Sequence, residues 1–133
     1  MIVLDTHVVL WADSDDRRLG RKTRALLDRE WPVNKVAIPA VVFWEVGLLQ
    51  IAGRLQVAES VGAWREGLIA AGARELPLTG AIGLRAAELT GLHADPADRF
   101  IAATALVHAA MLVTADDRLL QWKYDLERHD ARL

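Results

Sequence analysis

Four carboxylates, Asp5, Glu45, Asp98 and Asp116, each stand just after a short apolar segment that reads as a strand, or near the start of the helix that follows one. If those strands run parallel, the four acids converge on one edge of a sheet, which is where open α/β proteins place their ligands. A cluster of acids with no cationic partner nearby in sequence calls for a divalent metal, and the chain reads as a metal-dependent enzyme. With no Cys, thiolate ligands, a Cys nucleophile and a disulfide framework are all excluded, so any metal must be held by oxygen or imidazole. Hard oxygen ligands select Mg²⁺, with Mn²⁺ as a substitute.

Each acid also has a duller reading. Asp98 stands three residues after Asp95, the spacing of a capping box, and acids in a first helical turn are favoured by the helix dipole. Asp116 and Asp117 would both serve as caps of a short helix, and an Asp such as Asp5 at a strand end commonly starts a turn. Glu45 resists this treatment, because it lies inside Val41-Val42-Phe43-Trp44-Glu45-Val46-Gly47-Leu48-Leu49. A lone ionised carboxylate buried there is costly unless it is paired or holds a metal. His7 is a ligand or substrate contact on one reading and a capping or packing residue on the favoured one. His93, His108 and His129 show no spacing such as H-E-x-x-H, which argues against a zinc site.

The elements that must position these acids alternate between strand and helix. Residues 2–4 are a short β-branched strand of the kind buried on both faces, after which Asp5 or Thr6 caps a helical stretch to about Ala12. A charged amphipathic helix spans Arg18 to Glu30 and is ended by Trp31-Pro32. Val36-Ala37-Ile38 is the second strand, followed by helices from about Ala40 to Ala52 and from about Ala58 to Ala71. Residues 75–78 form a weak third strand and Thr79 to Thr90 a helix. Asp95 as N-cap and Pro96 at the first helical position open a helix to Ala110. Residues 111–114 are a buried strand, a short helix runs from Asp116 to about Trp122, and an edge strand lies within 124–133. Such alternation implies parallel strands joined by right-handed crossovers.

A length check supports the convergence. A helix from Asp98 to Ala110 descends roughly 18 to 20 Å at about 1.5 Å per residue, and a return strand of about five residues climbs roughly 16 Å. The chain therefore comes back near the level it left, with Asp116 close to Asp98. Glu45 sits early in the helix after the second strand, its side chain directed back toward the N-terminus.

Composition sets outer bounds. The 133 residues, 53% of them hydrophobic, fit a single domain over 1–133 with a sizeable core. No leader or membrane segment is visible, so a cytoplasmic protein is expected. The net charge of −2 argues against a nucleic-acid partner, yet setting aside the four clustered acids leaves 16 basic against 14 acidic residues. A metal-loaded site could then face phosphates on a mildly basic remainder.

Taken together, Asp5-Thr6 after the first strand, Glu45 on the apolar helix, the run His93-Ala94-Asp95-Pro96-Ala97-Asp98-Arg99-Phe100-Ile101-Ala102-Ala103-Thr104-Ala105, and Leu112-Val113-Thr114-Ala115-Asp116 resemble a PIN-domain ribonuclease of the VapC type. Such proteins are the toxin half of a type II toxin–antitoxin pair. The resemblance covers the chain end to end, and its most specific piece is the run from Asp95 to Ala105 with Val113 to Asp116 downstream.

That resemblance implies a three-layer α/β/α sandwich around a parallel sheet of four or five strands. It carries over Asp5, Glu45, Asp98 and Asp116 as catalytic, metal-binding acids, Thr114 as the hydroxyl that supports them, and Thr6 as a weaker supporting candidate. Asp95 is left out because it already serves as N-cap, and Asp117 because its neighbour takes the family position. The implied reaction is phosphodiester hydrolysis by metal-activated water, on tRNA or another structured RNA.

Candidates for gripping RNA are the run Arg17, Arg18, Arg21, Lys22 and Arg24, together with Lys35, Arg54 and Arg99. The run reads slightly better as a solvated helix face balanced by neighbouring acids. An antitoxin partner is implied in a groove of the helix pair 40–71, with Trp44 and Trp64 as anchors, and so is a homodimer. The rival reading is a catalytically silent PIN-like module that binds RNA or protein without taking up metal.

Overall fold

Five short strands, β1 (Ile2–Leu4), β2 (Val36–Pro39), β3 (Arg74–Leu76), β4 (Met111–Thr114) and β5 (Arg128–Asp130), pair in the order β3-β2-β1-β4-β5 in a computed structural model that describes residues 1–57 and 59–133. Every pairing is parallel, with Val3 level with Ala37 on one side and Leu112 on the other. All residues of β1 and β2 are buried, which is why these segments read as unbroken apolar runs rather than alternating ones.

Helices α1 (Thr6–Asp13), α2 (Arg21–Glu30), α3 (Ala40–Ile51), α4 (Val61–Ala70), α5 (Gly80–Glu88), α6 (Pro96–Val107) and α7 (Asp117–Leu120) flank the sheet. The result is the expected three-layer α/β/α arrangement, with five strands rather than four. No helix among the described residues is long and apolar enough to cross a membrane.

The chain lays down β1, β2 and β3 outward in one direction, then returns to the other side of β1 for β4 and β5. Strand order thus reverses at β1, opening a crevice beyond the carboxyl ends of β1 and β4. Asp5 follows β1 directly and Asp116 follows β4 by two residues, so the topology delivers both to that crevice.

Boundaries depart from the sequence reading for local reasons. The α2 helix begins at Arg21, not Arg18, because Asp16 holds the Arg18 backbone N–H at 2.9 Å and its guanidinium at 2.7 Å, outside the helix. Gly20 then passes against the C-terminus: its N–H donates to Ala131 O at 2.8 Å, and a Cβ there would lie 1.9 Å from Leu133 O. The α4 helix starts at Val61 with Ser60 as its cap; the expected start, Ala58, lies outside the described residues. The third strand ends at Leu76, since Pro77 has no N–H to continue a ladder. The α6 helix stops at Val107 ahead of Ala109, which is left-handed at φ 49°. The C-terminal edge strand forms as β5 and runs parallel to β4.

Candidate metal centre

Asp5 is the buried corner of the site. Its backbone N–H donates to Val113 O at 3.0 Å, extending the β1–β4 pairing one residue beyond Leu4. Its carboxylate caps α1 by accepting from Thr6 N–H at 2.7 Å, and its other oxygen accepts from Thr114 Oγ1 at 2.6 Å. The same Thr114 oxygen accepts the Asp116 N–H at 3.0 Å, so one fully buried hydroxyl couples the acid after β1 to the acid after β4. The supporting residue expected at 114 is thus in contact with both.

Thr6 does not cap α1, because Asp5 does; instead the Thr6 hydroxyl donates to Glu45 Oε1. The Glu45 side chain is half-buried on α3, which begins directly after β2, and so it reaches the same crevice from the opposite side of β1.

Asp98 is the third residue of α6. Asp95 caps that helix by accepting from Ala97 N–H at 3.1 Å and Asp98 N–H at 3.4 Å, as its position before Pro96 predicts. Asp98 Oδ2 lies 2.6 Å from His93 Nε2, a contact that no ligand-spacing rule reveals. Ligand atoms of His93, Asp98 and Asp116 all lie within 4.8 Å of one another.

Asp116 caps α7 through Arg118 N–H at 2.8 Å, and the Arg118 guanidinium forks onto it. The acids were expected to lack a nearby cation; Arg118, two residues beyond Asp116, corrects that. Asp117 points away and pairs with Arg132 at 2.7 Å.

A cavity of about 320 Å³ is lined by Asp5, His7, Trp11, Glu45, Asp95, Asp98, Ala115, Asp116 and Arg118. All four predicted acids therefore meet in one place, with Asp95 as a fifth at the wall. His7 also lines the cavity, exposed, its ring 6.4 Å from that of Trp11.

Burial is the main force on three of these carboxyls. It pushes Asp5 above the usual range against the opposing hydrogen bonds from Thr114 and Thr6, and lifts Glu45 likewise against Thr6. Asp98 is pushed up to about 6, by burial first and then by the neighbouring charges of Asp5, Asp95 and Asp116, against the His93 hydrogen bond. Burial also acts on Asp116, but the hydrogen bonds and charge of Arg118 outweigh it and hold that carboxyl below its ordinary value.

Two expectations about other side chains are overturned. Arg99 is no phosphate contact: its guanidinium donates inward to the carbonyls of Ala86, Leu92, His93 and Leu89, at 3.1, 3.0, 3.2 and 2.8 Å. Trp64 is no exposed anchor: it is 3% exposed, its Nε1–H donates to Asp13 at 2.9 Å, and its ring meets Phe43 edge-on. Trp44, at 55% exposed, remains free to anchor a partner. In the basic run, Arg18 pairs with Asp16 and Arg24 with Asp15, in keeping with a solvated, charge-balanced face.

The donor set fits a hard divalent cation. Carboxylate oxygens converge from separate segments, and the burial that lifts three of their pKa values is a cost such a cation would offset.

The family model for the PIN domain matches residues 2–123. Ribonuclease VapC22 of Mycobacterium tuberculosis (strain ATCC 25618 / H37Rv) is 32% identical over 119 residues, 89% of this chain and 88% of that protein. Among solved structures, VapBC-1 from nontypeable Haemophilus influenzae matches with a TM-score of 0.71 at 20% identity, over 100% of both chains. DNA-bound VapBC from Salmonella typhimurium matches at 0.70 and 19% identity, over 97% of this chain and 96% of that one. These two share the fold; the family assignment rests on the domain match and the 32% relative, and by both the chain belongs to the PIN domain family, within it to the VapC type.

Proposed function

We propose that this chain, acting as one PIN-like domain over residues 1–133, is a metal-dependent endoribonuclease and the toxin component of a toxin–antitoxin pair. The observation that carries the reading is the meeting of Asp5, Glu45, Asp98 and Asp116 in one cavity at the strand-order reversal. These four residues would hold Mg²⁺, or Mn²⁺ in its place. A bound ion would polarise the scissile phosphate and make an attacking water more acidic.

The chain's own groups do the rest. Thr114 and Thr6 fix the carboxylates of Asp5 and Glu45 from behind. The Asp95 cap sets the first turn of α6 and His93 orients Asp98. The substrate class is RNA in the cytoplasm, with tRNA or another structured RNA as the target.

An antitoxin segment would lie along α3, where Trp44, Leu48 and Ile51 recur on one exposed stripe beside a hollow that shares Glu45 and Asp95 with the acid cavity. A homodimer would set two acid cavities on a shared groove, which sedimentation tests directly.

Cleavage of a tRNA and total-RNA panel by antitoxin-free protein tests the activity, with Mg²⁺, with Mn²⁺, with chelator, and beside Asp98→Asn. Metal-dependent cuts absent from the variant are expected. Absence of both metal uptake and cutting would favour the silent binding module.

A further inference from the structure

Arg118 is the one Lys or Arg among the described residues that lines the acid cavity. Its Nε lies 3.2 Å from Asp116 Oδ1 and its Nη2 2.9 Å from Asp116 Oδ2; Nη2 also faces Asp98 Oδ2 at 3.4 Å. A guanidinium thus sits against the two acids that open α6 and α7. Asp5 and Glu45, across the cavity, are instead held by the hydroxyls of Thr114 and Thr6.

A divalent cation drawing on Asp98 and Asp116 competes with this fork for the same carboxylate oxygens, and its charge repels the guanidinium. The side chain is free to leave, being 59% exposed, whereas its backbone N–H stays tied to Asp116 at 2.8 Å. Its reach is therefore confined to the cavity mouth. A phosphodiester entering a cavity lined by five acids needs a positive side chain to meet it, and Arg99 is locked onto four carbonyls. The planar fork that suits a carboxylate suits a phosphate equally.

We infer that Arg118 is the phosphate-binding residue of this site, parked on Asp116 and Asp98 until the metal displaces it. The inference rests on the metal-site reading above. In the metal-free protein the guanidinium competes with the ion; once displaced, it is released toward the RNA backbone. Metal and RNA binding are then positively coupled through one side chain, and the coupling is reciprocal.

The test compares wild type with Arg118→Gln and Arg118→Lys. Mn²⁺ is titrated calorimetrically without RNA, and a labelled single-stranded RNA of mixed sequence is followed by anisotropy in Ca²⁺ across a salt series. Removing the fork should tighten Mn²⁺ binding by about 3- to 10-fold in both variants, a change on the scale of a partly exposed ion pair. A mere through-space charge effect would leave the Lys variant at the wild-type value, and that result overturns the competition. The dependence of log affinity for RNA on log salt should fall by about 0.7 in the Gln variant, the loss of one phosphate contact on a single strand, and be kept by Lys. An unchanged slope in the Gln variant overturns the phosphate role. Failure of the wild type to take up Mn²⁺ removes the metal-site reading and the inference with it, whereas equal Mn²⁺ affinity in all three proteins removes the inference alone.

Discussion

Thr114 Oγ1 donates to Asp5 Oδ2 at 2.6 Å although the two residues are 109 apart in sequence. The bond spans the β1–β4 boundary, and the Thr114 oxygen also accepts the Asp116 N–H, so this hydroxyl sets the spacing between two of the acids. Thr114→Val keeps the shape and removes both interactions, leaving the Asp116 N–H without its partner. Such supporting groups are typically worth about 10- to 100-fold in metal affinity or activity. That loss is expected in Mn²⁺ titrations and cleavage rates, with Thr114→Ser restoring most of it.

Asp98 links the site to the pH dependence of stability. In the unfolded chain its carboxyl ionises near the ordinary value of 3.8, whereas in the folded, metal-free protein it is pushed up to about 6. Its favourable contribution to folding is therefore fully present below 3.8 and is lost as pH rises through about 6. Asp116, held low by Arg118, works in the opposite direction, so the difference between wild type and Asp98→Asn isolates the group. In chelator, the variant should match wild type near pH 4 and melt a few degrees higher at pH 7.5. Saturating Mn²⁺ should erase that advantage by stabilising the wild type. Thermal melts across pH with and without Mn²⁺ decide it.

The two tryptophans of the α3–α4 region should behave oppositely. Trp64→Ala removes a ring that is 3% exposed and leaves Asp13 without its indole donor, at a cost of about 3 to 5 kcal/mol in a urea melt. Trp44→Ala changes a side chain that is 55% exposed, so the melt should barely move. Its effect should appear as antitoxin affinity weakened by about 2 kcal/mol or more, measured by calorimetry.

Arg99→Lys should injure the fold rather than the grip on RNA. Lys cannot reproduce donation to four carbonyls, one of them that of His93 beside Asp98. A loss of about 1 to 3 kcal/mol for each carbonyl left buried without a donor is expected in the melt. The salt dependence of RNA binding should stay at the wild-type slope.

The layered fold and the meeting of the four acids were legible because each acid is tied to an element with strong local signals. Asp5 follows an unbroken apolar strand, Asp98 follows the Asp95-Pro96 cap, and Asp116 follows the buried strand ending in Thr114. The contacts around them were not legible, because they depend on where side chains point across loops. His93 reaches Asp98 from a loop turned by Gly91, which is left-handed at φ 73°. Trp64 meets Asp13 across 51 positions; Arg118, by contrast, stands only two residues from Asp116, a spacing the sequence itself displays. Arg99 shows the same limit in reverse: next to a predicted metal ligand, its charge suggested outward contact with phosphate, yet the surrounding carbonyls turn it inward.

The strand order also has a consequence during translation. The central strand is made before both of its neighbours, and the neighbour that carries Thr114 and leads to Asp116 is made long after the other. A nascent chain can pair β1 with β2 and β2 with β3, yet it holds no complete set of acids until residue 116 has emerged and β4 has slotted in beside β1. Truncated products that end before Asp98 therefore carry Asp5 and Glu45 without their two partners, and no product that ends before Asp116 holds the assembled centre.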